Sequence, residues 1–361
     1  MSSLMDELGA RALALGLPLG VHLDLTYRCN ERCVHCYLDH EDHGEMDTGE
    51  ILSVVDQLAE AGVMFLTLSG GEIFMRKDAL DIVAHARRLQ FSVKLKTNAV
   101  MVDADKARAI AALGVESVQI SVYSHKPEVH DAITKVKGSF KRTIEGARLL
   151  KDNGVRVSFA GVLMQQNAHD YRGVKALAEE MGVGFTLDPT ITPMMDGDRG
   201  ILDLNIDRAL LAQVMHDPAL GGDAASAPAG APLALEEAME TIPCSAGHTA
   251  CYISPYGDVF PCVQFPLPSG NLRQTRFIDI WNDSPQLAEV RSIRVADLEG
   301  CSSCGNSGSC SRCPGLAYME GNMRGPSIQD CEKSLARTGI ASPNLRRRDA
   351  GERPVVWMTA G

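Results

Sequence analysis

The 361-residue sequence holds no run of about 18 uninterrupted apolar residues, so no membrane-spanning helix is expected. Aromatic residues make up only 5% of it, with 2 Trp. No long basic run comes before Arg346, Arg347 and Arg348, and 35 Lys and Arg stand against 46 Asp and Glu for a formal charge of -11. That balance repels a phosphate backbone, and neither nucleic acid nor a membrane is expected as a partner. Residues 1–19 lack the basic start and apolar run of a secretion signal, which points to the cytoplasm. From Tyr37 to Pro243 there is no cysteine at all. What is present is 45% hydrophobic content, enough for a large core, and 11 cysteines, an odd number, in two blocks. So long a gap suggests two separately built sites; disulfides scattered over a chain in a reducing compartment would not produce it.

Between the blocks, short β-rich runs alternate with amphipathic ones. Strands are predicted at 21–27, 65–69, 93–97, 117–123, 155–163 and 184–188. Helices are predicted in the intervals, at 48–61, 105–113, 143–153 and 172–181, closing on Gly62, Gly114, Gly154 and Gly182. In the first of these Ile51, Val54, Val55, Leu58 and Ala61 fall on one face. Strands at such intervals with helices between them read as right-handed βαβ units in a parallel sheet. Six strands fall short of a complete eight-stranded barrel, so the fold class is α/β, an open (β/α)6 barrel. Residues 1–20 read as a helical lead-in and 21–216 as the barrel. Residues 217–243, rich in Ala, Gly, Pro and Ser, read as a linker with one short helix at 233–240. Residues 244–335 form a small cysteine-rich domain, too poor in core to stand without metal, and 336–361 a weakly ordered tail whose arginines are solvated.

Cys29, Cys33 and Cys36, spaced x3 then x2, directly follow the first strand, at the mouth where a β/α barrel concentrates function. Three thiolates suit an iron–sulfur cluster; a four-iron cage has four corners, so one iron stays open to a cofactor or substrate. Zinc with three protein ligands is the competing reading. This CxxxCxxC motif followed by Tyr37, after the first strand of a β/α array, resembles the radical S-adenosylmethionine (SAM) superfamily. Further matches lie at successive strand ends: Ser69-Gly70-Gly71-Glu72 resembles the family's GGE motif, Thr97-Asn98-Ala99 its TNG with Ala for Gly, and Ser121 the serine near the SAM carboxylate. The Ala99 departure makes a left-handed turn there less comfortable. The resemblance implies that the open iron binds SAM, that Glu72 accepts from its amino group, and that reductive cleavage yields a 5′-deoxyadenosyl radical that takes a hydrogen atom from the substrate. Tyr37 is read as stacking on adenine or filling space. His22, His35, His40 and His43 are given no ligand role.

The late cysteines are Cys244, Cys251, Cys262, Cys301, Cys304, Cys310, Cys313 and Cys331. Alone, the 301/304 and 310/313 doublets fit zinc as well as iron–sulfur. With Gly257, the segment from Pro261 to Leu272, and Ile280-Trp281, the array resembles the SPASM extension of radical SAM maturases. That resemblance implies two auxiliary four-iron clusters, the first on Cys244, Cys251, Cys262 and Cys313 and the second on Cys301, Cys304, Cys310 and Cys331. The doublet ending at Cys313 has two intervening residues where the family often has three. With the first block, three clusters then account for every cysteine.

The loop after the sixth strand carries Asp188, Asp196 and Asp198, candidates for a base that removes a proton from a radical intermediate, with turn capping as the alternative. The function expected from the resemblance is oxidative modification of a peptide or protein side chain. The alternatives are oxidation or decarboxylation of a small molecule or tetrapyrrole in cofactor biosynthesis, and a non-enzymatic redox carrier. The expected partners are the substrate, a reductant such as flavodoxin or ferredoxin, and a separate peptide-recognition protein, because the twenty residues before the first block leave no room for a recognition domain.

Overall fold

A computed structural model describes residues 4–220, 239–306 and 310–350. Six parallel strands, β1 (Gly20–Asp24), β2 (Phe65–Ser69), β3 (Ser92–Thr97), β4 (Ser117–Ser121), β5 (Val157–Val162) and β6 (Gly184–Asp188), lie side by side in sequence order. The helices between them are α2 (Thr48–Glu60), α3 (Ala79–Arg88), α4 (Ala104–Leu113), α5 (Pro127–Thr134), α6 (Ser139–Asp152) and α7 (Tyr171–Met181), after a lead-in helix α1 (Leu4–Leu15). Local chemistry sets the ends. Asp47 and Glu50 form a reciprocal capping box at the start of α2, worth about 1 kcal/mol. Gly114 and Gly182 close α4 and α7 in the left-handed conformation.

Alternation along the strands divides the sheet into two faces. Leu23, Leu66, Leu68, Leu95, Ile120 and Phe159 are buried in one core with Ile51, Val54, Val55 and Leu58 of α2. The intervening His22, Lys96, Gln119 and Thr186 line a cavity instead. The barrel thus keeps an inner face that is polar.

The second domain is less separate than its composition suggests. Its strand β7 (Ala250–Ile253) pairs in parallel with β1, and β8 (Asp258–Phe260) and β9 (Gly270–Asn271) continue the same sheet in antiparallel fashion. Phe277, Ile280 and Trp281 of α9 (Phe277–Asp283), after α8 (Arg208–Met215), join the barrel's core with Leu287 of α10 (Pro285–Ser292). Phe277, Ile280, Trp281 and Leu287 are thus buried against the barrel, which supplies core that the second domain was expected to lack, through a long-range strand pairing that periodicity does not reveal.

The linker expectation is altered at its start. Asp217 is 3% exposed and accepts from the Tyr171 hydroxyl and Arg172 Nε, so the chain stays anchored through Leu220. All but the last two residues of the 233–240 helix lie outside the described residues. Beyond α11 (Pro314–Met319) and α12 (Ile328–Thr338), the expected loose tail forms α13 (Pro343–Asp349), capped by Ser342 and anchored by the fully buried Leu345. Arg348 pairs with Glu332 and Asp349, which also take Arg208, so this arginine is not simply solvated. Residues 351–361 lie outside the described residues.

Candidate active site

A cavity of about 570 Å³ opens at the C-terminal ends of the barrel strands. Its walls include Cys29, Cys33, Cys36, Tyr37, Ser69, Gly70, Gly71, Thr97, Asn98, Ser121 and Asp188, eleven side chains and turns predicted for the site. The second domain closes part of the same wall: Val263, Gln264 and Pro266, next to Cys262, and Met319 all face the cavity.

The cysteine loop is held by backbone on both sides. Arg32 N and Val34 N donate to the carbonyls of Thr134 and Ile133 at the end of α5, and Asn98 Nδ2 donates to Asn30 Oδ1 at 2.6 Å. Gly71 N and Glu72 N donate to Thr26 O (2.8 Å) and Arg28 O (3.0 Å). A Cβ at Gly70 would stand 2.2 Å from Thr26 O, and one at Gly71 2.5 Å from both Tyr27 O and Arg28 O. The glycine pair thus serves the approach of two protein backbones, with the cluster loop as the partner.

Glu72 departs from its predicted part. It is fully buried and absent from the cavity wall. Its carboxylate accepts from Phe74 N (3.1 Å), from Asn98 N (2.8 Å) and from Thr97 Oγ1 (2.8 Å). The turn after β2 aims the side chain into the protein, where it fixes Thr97 and Asn98 at the cavity edge. Ala99 takes the left-handed conformation (φ 59°) that its position requires, at a cost of about 1 kcal/mol. Gly146 on α6 makes room for it, since a Cβ there would meet Ala99 O at 2.4 Å.

Burial dominates the electrostatics of the loop. It pushes the Cys29 thiol up to about 12, against a hydrogen bond from Glu31 N and with Glu72 adding to the rise, and that of Cys33 higher, with the Glu31 carboxylate adding. Burial of this kind disfavours the thiolate, which a bound metal would favour. Glu31, 2% exposed and raised to about 7 by burial and then by Glu72, went unnoticed in the sequence because a Glu between two cysteines carries no pattern. His35 packs edge-on against Tyr123 with ring centroids 4.6 Å apart, and burial lowers it to about 4. His22 lines the cavity, with Nε2 3.0 Å from the buried Asp24, which also accepts from Tyr252 of β7. Alternation around Leu23 would have placed His22 and Asp24 on the inner face.

The eight late thiols influence one another in two groups. Cys262 is raised by Cys244, and it in turn raises Cys251 and Cys313. Cys301, Cys304 and Cys310 all raise Cys331. Among the described residues no three His, Cys, Asp or Glu side chains converge to single-ion distance.

Of the three carboxylates, only Asp188 faces the cavity; its Oδ1 accepts from Thr190 N and Oγ1. Asp196 and Asp198 are exposed and outside the cavity wall, and accept from Asp198 N and Gly200 N two residues on. Their candidacy as the base is corrected to the other expected reading: both lie off the cavity wall and cap turns by accepting from the backbone two residues on.

Comparison with known proteins places these features in a family. Residues 23–178 match the radical SAM superfamily and residues 244–314 the iron–sulfur cluster-binding domain SPASM. The chain is 31% identical over 343 residues to the PqqA peptide cyclase of Xanthomonas campestris pv. campestris, covering 90% of this chain and 89% of the relative. It is 26% identical over 319 residues to the AdoMet-dependent heme synthase of Methanosarcina barkeri, covering 82% and 90%. In fold it is similar to Streptococcus suis SuiB bound to S-adenosylmethionine, with a TM-score of 0.71 at 18% identity over 92% of this chain and 83% of that one. The chain belongs to the radical SAM superfamily, in the branch that carries a SPASM domain, and is an iron–sulfur enzyme that uses S-adenosylmethionine.

Proposed function

We propose that this enzyme oxidatively modifies a peptide or protein side chain inside the barrel, using one SAM-binding and two auxiliary four-iron clusters. The observation that carries the reading is the shared wall of the cavity. The Cys29–Cys33–Cys36 loop and Val263, Gln264, Pro266 and Met319 line the same cavity, so a substrate held there meets the first cysteine site and the wall that the cysteine-rich domain supplies. The division of the late thiols into two mutually interacting groups supports the Cys244/251/262/313 and Cys301/304/310/331 assignment. The likeness to a peptide cyclase supports a peptide substrate.

When bound, the reduced first cluster and SAM supply a 5′-deoxyadenosyl radical that abstracts hydrogen. Thr97, Asn98 and Ser121 would hold the amino-acid end of SAM, with Glu72 fixing the first two from behind. Tyr37 and the second domain's wall keep water from the radical. Asp188 is the carboxylate placed to take a proton from the substrate. The polar inner face with Lys96, Gln119 and Thr186 suits a polar substrate. The likeness to a heme synthase favours a second reading, decarboxylation or oxidation of a tetrapyrrole or other small molecule. The setting we propose is the cytoplasm, with a flavodoxin or ferredoxin as reductant and a separate protein that presents the peptide.

Anaerobic reconstitution tests this reading. It should load about twelve irons per chain, and dithionite should drive 5′-deoxyadenosine release. Zinc in place of iron, or no SAM cleavage, would sink it. A short precursor-peptide gene beside this one, and a mass change in that peptide on turnover, separates the peptide reading from the small-molecule one.

A further inference from the structure

Among the described residues, three arginines keep a buried guanidinium nitrogen with no hydrogen-bond partner: Arg291 (Nη2), Arg312 (Nη1) and Arg337 (Nε). All three lie in the C-terminal domain. The remaining nitrogens of the first two are tied down. Arg291 donates Nε to Gly247 O and Nη1 to Trp281 O, both at 2.6 Å, and its guanidinium carbon lies 4.4 Å from the centre of the Trp281 ring. Arg312 donates Nε to Gly325 O at 2.7 Å and Nη2 to Met323 O. A guanidinium held this firmly, with one buried nitrogen left over, is preorganised for a further acceptor.

Each of the three is placed near cysteines by the chain: Arg291 holds the carbonyl of Gly247, between Cys244 and Cys251, Arg312 sits between Cys310 and Cys313, and Arg337 lies on α12 with Cys331. One acid shares this space: Asp330, which accepts from Cys313 N and pairs with Lys333. At the Cys29 loop the buried atoms without a hydrogen-bond partner are the carboxylate oxygen Glu31 Oε1 and the ring nitrogen His35 Nδ1, and among the described residues no arginine nitrogen is left over there.

We infer that Arg291, Arg312 and Arg337 donate hydrogen bonds to the sulfurs of the two auxiliary clusters and raise their reduction potentials, which eases the transfer of the substrate's second electron that the family likeness implies for these clusters. Reduction adds negative charge to a cluster, which a guanidinium N–H stabilises and a carboxylate opposes. The balance is complete. The substrate gives one hydrogen atom to the 5′-deoxyadenosyl radical, then one proton to a base and one electron to an oxidised auxiliary cluster, for a two-electron oxidation overall.

The inference rests on the three-cluster reading, and the test separates the two. The full-length, cluster-loaded protein is titrated anaerobically by electron paramagnetic resonance, with the SAM-responsive signal marking the first cluster. Arg291→Gln, Arg312→Gln and Arg337→Gln should each lower the reduction equilibrium constant of an auxiliary cluster about tenfold, or about 59 mV for one electron. The corresponding Lys variants should shift it less, and the SAM-responsive signal should not move. Unchanged auxiliary potentials at full iron content would overturn the inference. If a variant loses iron, wild-type protein labelled with 15N-arginine decides: nitrogen coupling to the reduced auxiliary clusters supports the hydrogen bonds, and its absence overturns them. Wild-type protein with only about four irons overturns the cluster reading instead.

Discussion

The barrel gathers its three cysteines on one short loop, docks that loop through backbone contacts with the turn after β2 and the end of α5, and surrounds it with Glu31 and Glu72. The C-terminal domain draws eight cysteines from segments far apart in the chain and surrounds them with arginines that have nitrogens to spare. Both sites hold their thiols at least partly buried and each has charges of both signs near it, but among the described residues only the second keeps buried arginine nitrogens without a partner. On the proposed reading, the difference teaches that two sites with the same ligand chemistry are set to different tasks by their surroundings: one to give an electron to SAM, the other to take one from substrate.

The largest test of that division removes one ligand from each site. Cys33→Ala should lower 5′-deoxyadenosine formation by more than about a hundredfold, beyond the usual effect of changing an outer partner. Cys304→Ala should leave uncoupled SAM cleavage measurable while removing modified product. Equal loss of 5′-deoxyadenosine from both variants would mean that the second site only supports the fold. A gentler version keeps every ligand and disturbs the backbone beneath it. Gly71→Ala would press a methyl onto Tyr27 O and Arg28 O at 2.5 Å, and Gly315→Ala would press one onto Gln264 O at 2.1 Å, two residues from Cys262. Each should cost about 1–3 kcal/mol in anaerobic melting. The first should also cost iron at the SAM-responsive site and the second iron at the auxiliary ones. Loss of all iron from either would show that the two sites assemble as one.

How far the sequence foretells this arrangement depends on the range of the interactions involved. The six barrel strands and the cysteine loops are legible because alternation, glycine stops and ligand spacing are local signals. The left-handed turn at Ala99 could be anticipated from the Gly it replaces. The pairing of β7 with β1, which merges the two cores, joins residues more than two hundred positions apart and leaves no local trace. Glu72 illustrates a subtler limit: its motif marks the right turn, but the φ of 138° at Gly70 and the docking of Gly71 turn the carboxylate inward, away from the cavity. Asp196 and Asp198 sit in the loop that function favours, yet two-residue turns capture them first. The arginines near the late cysteines carry no motif, and their meaning lies in what their nitrogens do not touch.

Glu72 gives a smaller effect confined to the barrel site. Glu72→Gln keeps the shape but replaces one acceptor oxygen with an amide that cannot accept from Phe74 N or Asn98 N. The loss of a partner that orients Thr97 and Asn98 should weaken SAM binding about tenfold, within the range for outer partners of a ligand set. Anaerobic equilibrium dialysis with SAM measures it, and the auxiliary potentials should stay where they were. Unchanged SAM affinity would reduce Glu72 to a structural cap.

The smallest expected effect concerns acid, and it asks which half of the molecule yields first. His130 on α5, behind the cysteine loop, is 1% exposed, accepts from Tyr123 N through Nδ1, and leaves Nε2 buried without a partner. Burial lowers it from 6.5 to about 4. A histidine held neutral in the fold takes up its proton first in the unfolded chain, so its contribution to stability is complete above pH 6.5 and is lost as pH falls towards 4. One unit below 6.5 the loss amounts to about 1 kcal/mol. His248 in the second domain is also buried and lowered, by burial and then by Arg291 and Arg294. Anaerobic melting of the loaded protein between pH 7.5 and 5.5 should therefore show a fall that His130→Gln lessens, since Gln keeps an acceptor for Tyr123 N but takes no proton, while His35, also lowered to about 4 by burial, keeps its share. If His248→Gln flattens the curve and His130→Gln does not, the arginine-rich domain is the acid-labile half, and the barrel loop outlasts the clusters that serve it.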